Sequence, residues 1–520
     1  MILQSNENIS ISPSGKTYKI PSVSERKVLF REMCEKVEYQ KSLGRKVVVV
    51  QGMGFVGVAV ASVIASASDN CGNPRYFVIG VDLPNPNTYW KVAEILDGMV
   101  PFISPDRELS KLIYNAVCKV KNLSVTTSEE VYALADVIVV DVHFDIINRS
   151  DRSPYDIEVD IKSFELAVRT LGHYMQPDAL VLIETTVPVG TCEKIVLPIL
   201  TEERLKRGIT EQVFLSYAYE RVMPGYNYVD SVRSYWRTFA GVDKISANKA
   251  REFLSSFIDV NLYPLWELED TNSSELAKLL ENSYRAVNIA FIYEWTLLAE
   301  QIGINLFDVI NSIRVRKGTH DNIRFPGFGV GGYCLTKDSL LAQWSSTKLF
   351  GKSVILNITL NALKINYFMP LHTLKLISEL AGELRGKTIL VCGVSYLPEV
   401  ADTRNSPTEI LVDELMKLGA GIIVHDPYLK RWMEKPDIQI MQNITECVKQ
   451  VDGVVFAVAH SIYCNMMPQV LLSSARSPLF LVDANNVMSD EKARVFYDNG
   501  WCLLGVGKGH WRKQGYQCQR

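Results

Sequence analysis

Residues 46–57 read KVVVVQGMGFVG, in which a run of four valines and Gln51 lead into three glycines spaced as GxGxxG. Such a run is typical of a strand buried on both faces, and a helical pattern follows over 56–68. Here Gly52 would make a tight turn, Gly54 would let the backbone approach a pyrophosphate, and Gly57 would let strand and helix pack closely. We therefore predict a dinucleotide-binding loop, with a merely structural turn as the alternative. The loop residues assigned to the cofactor are Gly52, Met53, Gly54, Phe55, Val56 and Gly57.

An acidic residue at the end of the next strand supports this prediction. That strand reads YFVIGVD (76–82) and ends at Asp82. A carboxylate in this position can accept a hydrogen bond from a ribose 2′-hydroxyl. The residue after it is Leu83 rather than a basic one. The pattern therefore favours NAD over NADP.

Strand and helix patterns alternate in two separate parts of the chain, which predicts an α/β fold with two Rossmann-like, doubly wound parallel-sheet domains. A helical central domain with one long helix joins them. In that helix Asn272 and Glu275 are predicted to form a capping box, ahead of an apolar stripe. The stripe comprises Leu276, Leu279, Leu280, Val287 and Ala290. The predicted strands are 46–51, 76–82, 135–142, 179–185, 213–218, 387–394, 421–426, 451–458 and 478–484, and the central helices are 272–302, 304–315 and 353–384. The predicted domains are 1–44, 45–245, 246–384 and 385–520.

Composition excludes several classes of protein. The formal charge is -3 and the basic residues are dispersed, so we expect no nucleic-acid partner. No apolar run approaches the ~18 residues that span a bilayer, and the N-terminus is polar, so we expect a cytoplasmic protein without membrane contact. Ten cysteines occur without a CxxC pair. This spacing argues against a metal site and a disulfide framework, and it predicts reduced thiols.

Residues 326–338 read PGFGVGGYCLTKD, and four glycines in this stretch precede Cys334. Glycines allow close approach of the backbone to a ligand, so this loop can bring a thiol against a substrate. If a helix begins after Gly332, its N-terminus and Lys337 would favour the thiolate, and Asp338 would share a face with Cys334. We predict a nucleophilic cysteine. The alternative is a mobile glycine-rich turn with an ordinary buried cysteine.

Seven motifs occur along the chain in the following order: GMGFVG (52–57), IETTVPVGT (183–191), YERVMPG (219–225), ELAKLLENSYRAVNIA (275–290), GVGGYCLTKD (329–338), VSYLPEVADTRNSP (394–407) and VHDPY (424–428). Together they resemble the nucleotide-sugar C6 dehydrogenases, the family that includes UDP-glucose, UDP-N-acetylhexosamine and GDP-mannose dehydrogenases. The similarity covers roughly residues 45–507, in the family's order. The resemblance implies that 45–245 binds NAD, that 246–384 dimerises and carries the catalytic lysine and cysteine, and that 385–520 binds the nucleotide sugar. Residues 1–44 are an extension without assigned chemistry.

The resemblance also implies roles for individual residues. Members oxidise a sugar alcohol to a carboxylate in two NAD-dependent steps, and Cys334 would hold the intermediate as a thiohemiacetal and then a thioester. Asp338, Thr186 and Glu220 would activate the hydrolytic water, while Lys278 and Asn282 would stabilise oxyanion charge. Thr186 and Lys337 are also assigned to the cofactor. The assigned substrate contacts are Glu220, Arg221, Lys278, Asn282, Gly331, Tyr396 and Arg404.

Each of these residues has a plainer alternative. Lys278 and Asn282 could lie on the solvated face of an amphipathic helix. Glu220 and Arg221 could form a surface ion pair, and Thr186 could be part of an ordinary turn. The order of the motifs favours the functional interpretation.

Three departures from the family pattern concern ligand recognition. The turn after the fourth strand reads DVHFD (141–145) where members usually have a proline-rich turn. Leu397 and Asn485 stand where the family commonly has basic residues that grip the nucleotide sugar. We therefore expect the catalytic residues to follow the family more closely than the residues that recognise the substrate.

The prediction is a cytoplasmic NAD-dependent nucleotide-sugar 6-dehydrogenase for polysaccharide biosynthesis, working as a homodimer or dimer-based oligomer. YERVMPG and YRAVNIA favour an N-acetylhexosamine substrate, whereas the Thr-Lys-Asp ending of the cysteine loop favours UDP-glucose. A two-electron β-hydroxyacid dehydrogenase is one alternative, although it would need neither Cys334 nor a second α/β domain. A non-catalytic NAD-binding scaffold is the other.

Overall fold

A computed structural model of the chain describes residues 8–142, 144, 146–148, 157–222 and 225–517. His143 and Asp145 of the DVHFD turn, and Met223 and Pro224 of YERVMPG, lie outside these residues. The chain forms two compact units. The N-terminal unit holds the described residues up to Leu279 together with Leu340–Val354, and the C-terminal unit holds Leu280–Ser339 and the residues from Ile355 onward.

The N-terminal unit is built on an eight-stranded sheet. Its strand order is β12-β11-β10-β9-β6-β3-β4-β5, with β3 pairing in parallel with both β4 and β6. Successive strands therefore lead away from β3 in both directions, and the order reverses between β3 and β6. The strands of this unit are β1 (Ile9–Ile11), β2 (Thr17–Lys19), β3 (Lys46–Gln51), β4 (Tyr76–Val81), β5 (Leu123–Thr126), β6 (Val137–Val140), β7 (Ile146–Asn148), β8 (Glu158–Val159), β9 (Leu180–Ile183), β10 (Phe214–Tyr217), β11 (Thr238–Gly241) and β12 (Trp266–Glu267).

Helices cover this sheet because its strands are apolar on both faces. Every residue from Val47 to Gln51 is buried, as is all of β4. The helix after the glycine loop is itself buried from Gly57 to Ala65, so it packs as part of the core. The helices are α1 (Val23–Ser42), α2 (Phe55–Ser66), α3 (Tyr89–Leu96), α4 (Arg107–Tyr114), α5 (Ile161–Tyr174), α6 (Leu197–Lys206), α7 (Tyr228–Arg233) and α8 (Lys244–Leu254). Shorter π and 3-10 segments lie at Asn115–Lys119, Glu129–Leu134 and Cys192–Val196.

The sheet is not parallel throughout. Strand β11 runs antiparallel to β10, and β12 continues in the direction of β11. The start of β11 therefore lies at the same edge of the sheet as the end of β10. This arrangement places Arg237, the residue before β11, beside residues that follow the parallel strands.

The C-terminal unit has a second, wholly parallel sheet of six strands, in the order β15-β14-β13-β16-β17-β18. Apolar clusters lie on both of its faces, as expected for a doubly wound sheet. The strands are β13 (Thr388–Cys392), β14 (Gly421–His425), β15 (Ile440–Met441), β16 (Gly453–Phe456), β17 (Phe480–Asp483) and β18 (Cys502–Gly505). The remaining helices are α9 (Thr271–Gln301), α10 (Leu306–Arg314), α11 (Cys334–Lys348), α12 (Asn357–Ala381), α13 (Pro407–Lys417), α14 (Ile444–Val448), α15 (Ser461–Cys464), α16 (Pro468–Leu472), α17 (Asp490–Asp498) and α18 (Gly509–Lys513).

The long helix α9 forms as predicted, but its predicted cap is wrong. Its first residue is Thr271, and the side chain of Asp270 accepts the Ser273 N–H at 2.7 Å. Asn272 instead donates to Glu193 at 2.7 Å, and Glu275 is engaged elsewhere. The Asp270 side chain at the N-cap therefore accepts a backbone N–H of the first helical turn, as the side chain of the predicted capping box would have done.

Three chain-wide features bear on the sequence predictions. Among the helices of the described residues, none has the length and apolar character needed to cross a membrane. The same residues hold no group of three or more His, Cys, Asp or Glu side chains arranged to bind a metal ion. Cys502 is held in a disulfide bond, so the prediction of reduced thiols is wrong at this position.

Candidate active site

The glycine loop between β3 and α2 has the geometry of a phosphate cradle. Gly52 has φ +98°, a conformation that side chains resist, and a Cβ there would lie 2.8 Å from the carbonyl oxygen of Asp141. A Cβ on Gly57 would lie 1.8 Å from the Gly52 carbonyl oxygen, so only glycine fits where the helix begins. Helix α2 starts directly after Gly54 and presents its N-terminal N–H groups to this loop. These residues fit the pyrophosphate of a dinucleotide.

Asp82 supports the loop from the end of β4. Its carboxylate accepts the Met53 N–H at 3.2 Å and the Leu83 N–H at 2.8 Å. Burial raises the pKa of Asp82 above its ordinary range, and Lys91 partly offsets this effect. The carboxylate thus lies on the β4 side of the glycine loop, where an adenosine ribose binds in folds of this type.

Lys278 and Glu220 form a buried pair in the N-terminal unit. The Lys278 ammonium donates to the Glu220 carbonyl oxygen at 2.7 Å and lies 3.6 Å from its carboxylate. Lys278 is 6% exposed and Glu220 is 7% exposed. The ammonium also lies 5.4 Å from the centre of the Tyr219 ring. The lysine is therefore not on a solvated helix face, which was the plainer alternative for it.

The two other predicted residues of this unit differ in their surroundings. Arg221 donates to the Trp236 carbonyl oxygen and to the Tyr219 hydroxyl, and it stacks on the Tyr219 ring at 5.0 Å. Glu220, its partner in the alternative of a surface ion pair, is buried. Thr186 follows β9 and is buried.

Glu275, one turn before Lys278 on α9, was not predicted to have a site role. Its carboxylate accepts the Gly190 N–H at 2.6 Å and the Cys192 N–H at 2.8 Å, and the residue is fully buried. Burial raises its pKa to about 7, although these backbone donors oppose the shift. Glu275 therefore fastens the start of α9 to the loop that contains Thr186.

This position predicts a pH-dependent stability. Because the folded-state pKa lies above the ordinary value of 4.5, the stabilisation that Glu275 provides is complete below about pH 4.5 and is lost as the pH rises through about 7. We expect Glu275→Gln to flatten the fall in unfolding midpoint over this interval, measured by denaturant titration at a series of pH values. Glu294→Gln, an exposed change on the same helix, should keep the wild-type slope. An unchanged slope in Glu275→Gln would contradict the assignment.

In the C-terminal unit, α11 begins at Cys334 itself. Cys334 is exposed, and it follows Gly332, which has φ +81°. A Cβ on Gly331 would lie 2.7 Å from both the Tyr396 side chain and the Asn405 carbonyl oxygen, so the two glycines allow the loop to pack against the turn after β13. The thiol is thus at a helix N-terminus, where the helix dipole favours its anionic form.

Asp338 lies one helical turn beyond Cys334 and is held by two donors. The Asn282 side-chain amide donates to one carboxylate oxygen at 2.6 Å, and Lys337 donates to the other at 3.2 Å. Asp338 is 0% exposed and Lys337 is 1% exposed. The Lys337 ammonium also lies 4.5 Å from the centre of the Tyr333 ring. Asn282 therefore donates a hydrogen bond to Asp338, whereas the family resemblance assigned it the role of stabilising oxyanion charge.

Tyr396 and Arg404 lie against the glycine loop that precedes Cys334. Arg404 stacks on Tyr333 at 5.6 Å and donates to both carboxylate oxygens of Asp402, with its closest contact at 2.7 Å. Burial raises the pKa of Tyr396, with a smaller contribution from Asp402. Asn485 donates to the Ala457 carbonyl oxygen at 3.2 Å, and Leu397 is 41% exposed.

The predicted residues thus fall into two groups, one in each unit. The N-terminal unit holds Gly52, Met53, Gly54, Phe55, Val56, Gly57, Asp82, Thr186, Glu220, Arg221 and Lys278, and the C-terminal unit holds Asn282, Gly331, Cys334, Lys337, Asp338, Tyr396 and Arg404.

Comparison with known families identifies the class of protein. Three models of the UDP-glucose/GDP-mannose dehydrogenase family match in chain order: the NAD binding domain over 46–256, the central domain over 272–366 and the UDP binding domain over 390–490. The chain belongs to this family. It is an NAD-dependent oxidoreductase of the nucleotide-sugar dehydrogenase class, as the sequence predicted.

Individual relatives are similar over nearly their whole length. A UDP-N-acetyl-D-mannosamine dehydrogenase of Methanococcus aeolicus is 29% identical over 90% of this chain and 97% of its own. The solved structure of UDP-D-ManNAc dehydrogenase from Pyrococcus horikoshii is 27% identical, with a TM-score of 0.75 over 89% of this chain and 100% of its own. The structure of NDP-N-acetyl-D-galactosaminuronic acid dehydrogenase from Methanosarcina mazei is 28% identical, with a TM-score of 0.73 over 92% and 98%.

Proposed function

We propose that this protein oxidises the C6 primary alcohol of a nucleotide sugar to a carboxylate in two NAD-dependent steps, with Cys334 as the covalent nucleophile. The observation that carries the proposal is the position of Cys334. It is an exposed residue at the start of α11, shortly after Gly331 and Gly332 in the chain. It also lies one helical turn before the buried Asp338. A thiol is needed only if the aldehyde is retained for a second oxidation. A two-electron β-hydroxyacid dehydrogenase would have no use for it.

The proposed reaction consists of two oxidations and a hydrolysis. When bound, NAD accepts one hydride in each oxidation. The Cys334 thiolate adds to the aldehyde carbon to give a thiohemiacetal, and loss of the second hydride gives a thioester. Water then displaces the sulfur, so that alcohol, two NAD⁺ and one water yield carboxylate, two NADH and three protons. The Lys278 ammonium stabilises oxyanion charge, and its pairing with Glu220 keeps that cation in place.

Hydrolysis of the thioester requires a base near the acyl carbon. Asp338 shares a helical face with Cys334, and its two donors fix its orientation. We propose that Asp338 positions the attacking water, the step to which the family resemblance also assigns Thr186 and Glu220. Asn282 then acts as a positioning residue for Asp338 rather than as an oxyanion donor.

We propose a UDP-N-acetylhexosamine as the substrate. The relatives described above are named as dehydrogenases of N-acetylated sugars or their uronic acids, and the YERVMPG and YRAVNIA motifs favour the same class. Purified protein should be incubated with NAD and a panel of UDP-N-acetylhexosamines, UDP-glucose and GDP-mannose. We expect two NADH per sugar consumed, and the N-acetylated sugars to give the highest kcat/KM. One NADH per sugar would contradict the thioester route, and tight NAD binding without turnover on any sugar would favour a scaffold.

We also propose a homodimer or dimer-based oligomer that uses α9. On the single chain this helix exposes large apolar side chains that a monomer would leave in water. Sedimentation at micromolar concentration should show a dimer or larger species, and a monomer alone would refute the proposal. The exposed residues are Leu276, Leu280, Tyr284, Phe291, Trp295 and Leu298.

A further inference from the structure

Four charged side chains meet at one edge of the N-terminal sheet. Asp141 directly follows β6, Glu184 directly follows β9, and Glu220 comes three residues after β10. Arg237 directly precedes β11, whose reversed direction brings it to the same edge. The Arg237 guanidinium pairs with Glu184 and also donates to the Ala218 carbonyl oxygen at 3.3 Å.

Asp141 is the unusual member of this group. It belongs to the DVHFD turn, which departs from the family pattern, and it is 8% exposed. Within the described residues neither carboxyl oxygen of Asp141 has a hydrogen-bond partner, and one oxygen of Glu184 and one nitrogen of Arg237 also lack partners. Buried polar atoms are normally satisfied, so these atoms point to a group that binds here.

The charges of this group, taken with Lys278, which pairs with Glu220, do not balance. Asp141, Glu184 and Glu220 would carry three negative charges if all were ionised, whereas Arg237 and Lys278 supply two positive charges. Burial, followed by the proximity of Glu184 and Glu220, raises the pKa of Asp141 well above its usual range, and Arg237 only partly opposes this. Burial also raises the pKa of Glu184, but its ion pair with Arg237 favours the charged form. One proton is therefore best placed on Asp141.

The position of Asp141 relates this proton to the cofactor. Strand order reverses between β3 and β6, and a dinucleotide binds across such a switch point. Asp82 lies on the β4 side of the glycine loop, which leaves the β6 and β9 side to the nicotinamide half. The backbone carbonyl of Asp141 lies against Gly52, so Asp141 is next to the glycine loop.

We propose that Asp141 is a cofactor-sensing residue whose carboxyl carries a proton in the ligand-free protein and releases it when the cationic nicotinamide of NAD⁺ binds. The proton goes to solvent, so the complex contains an Asp141 carboxylate beside a positive ring. NADH has a neutral ring and gives no such release. The residue would thereby favour NAD⁺ over NADH, since a nearby opposite charge stabilises the ionised carboxylate.

Calorimetric titration tests this without any sugar substrate. NAD⁺ and NADH are titrated separately into the wild-type protein near neutral pH, in buffers of different ionisation enthalpy, to count the protons released. We expect NAD⁺ to release more protons than NADH, by up to about one, and NAD⁺ affinity to rise with pH while NADH affinity does not. In Asp141→Asn the difference should vanish, and the preference for NAD⁺ should fall by on the order of tenfold.

Asp136→Asn is the matched control. Asp136 precedes the same strand at its opposite end, where it accepts the Val47 N–H at 2.7 Å, and asparagine can keep this contact. This variant should release protons as the wild type does. Equal release on NAD⁺ and NADH binding by the wild type would overturn the proposal, whether or not Asp141→Asn folds. Retention of the difference in folded Asp141→Asn would also overturn it, because another group would then be titrating.

Discussion

Replacing Cys334 with serine should reduce net carboxylate formation by on the order of 10³-fold or more, because a serine hydroxyl is almost wholly protonated near neutral pH and adds poorly to an aldehyde. NAD affinity should be unchanged, because Cys334 is not among the residues assigned to the cofactor. NADH formation and carboxylate should be measured together in single-turnover experiments. We expect at most one NADH per site and almost no acid.

Cys71→Ser provides the control for this experiment. Cys71 is also exposed, but it lies in a surface turn where its N–H donates to Asp69 at 2.8 Å. Serine there should leave both oxidations at the wild-type rate. Near-normal acid production by Cys334→Ser would remove the covalent step from the mechanism, even if the protein remained a dehydrogenase.

Lys278→Met should lower kcat by about 10²- to 10³-fold, the usual effect of losing one preorganised donor to a developing oxyanion. Methionine keeps much of the length of the lysine side chain but removes the ammonium, which lies 2.7 Å from the Glu220 carbonyl oxygen. The KM for NAD should change little. Steady-state kinetics with the best sugar of the panel would separate these two parameters.

Loss of Lys278 also leaves Glu220 without its buried cation, so folding must be measured alongside activity. Lys249→Met is the matched control, because Lys249 also donates to a backbone carbonyl, that of Asp178 at 3.2 Å. Both variants should remain folded by circular dichroism, and only Lys278→Met should lose turnover. A folded Lys278→Met with normal kcat would exclude the lysine from oxyanion stabilisation.

Local patterns were sufficient for the elements that begin the fold. The valine run of β3, the glycine spacing and the start of α2 follow from short-range preferences, and the comparisons confirm the fold class and the NAD-binding domain. Short strands such as β5, β11 and β12 were not predicted. They have few residues, and their pairing partners are distant in sequence, so local periodicity carries little information about them.

The cap of α9 shows how local rules fail when a better contact is available. Asn272 and Glu275 have the spacing of a capping box, but Asp270 caps the helix. Glu275 is instead drawn to backbone donors at Gly190 and Cys192, more than eighty residues earlier in the chain. A rule based on residue spacing cannot predict these donors, because only folding brings Gly190 and Cys192 close to Glu275.

By itself, the sequence determined the fold class and the cofactor, because glycine spacing, valine runs and motif order are encoded within short segments. Tertiary structure alone decided which polar groups are buried together. In the folded chain the Asn282 side chain donates a hydrogen bond to Asp338. Strand β11 runs antiparallel to β10, which brings Arg237 beside Glu184 and near the carboxyl of Asp141. Burial and charge proximity depend on residues distant in sequence, so protonation in this group is a property of the folded chain.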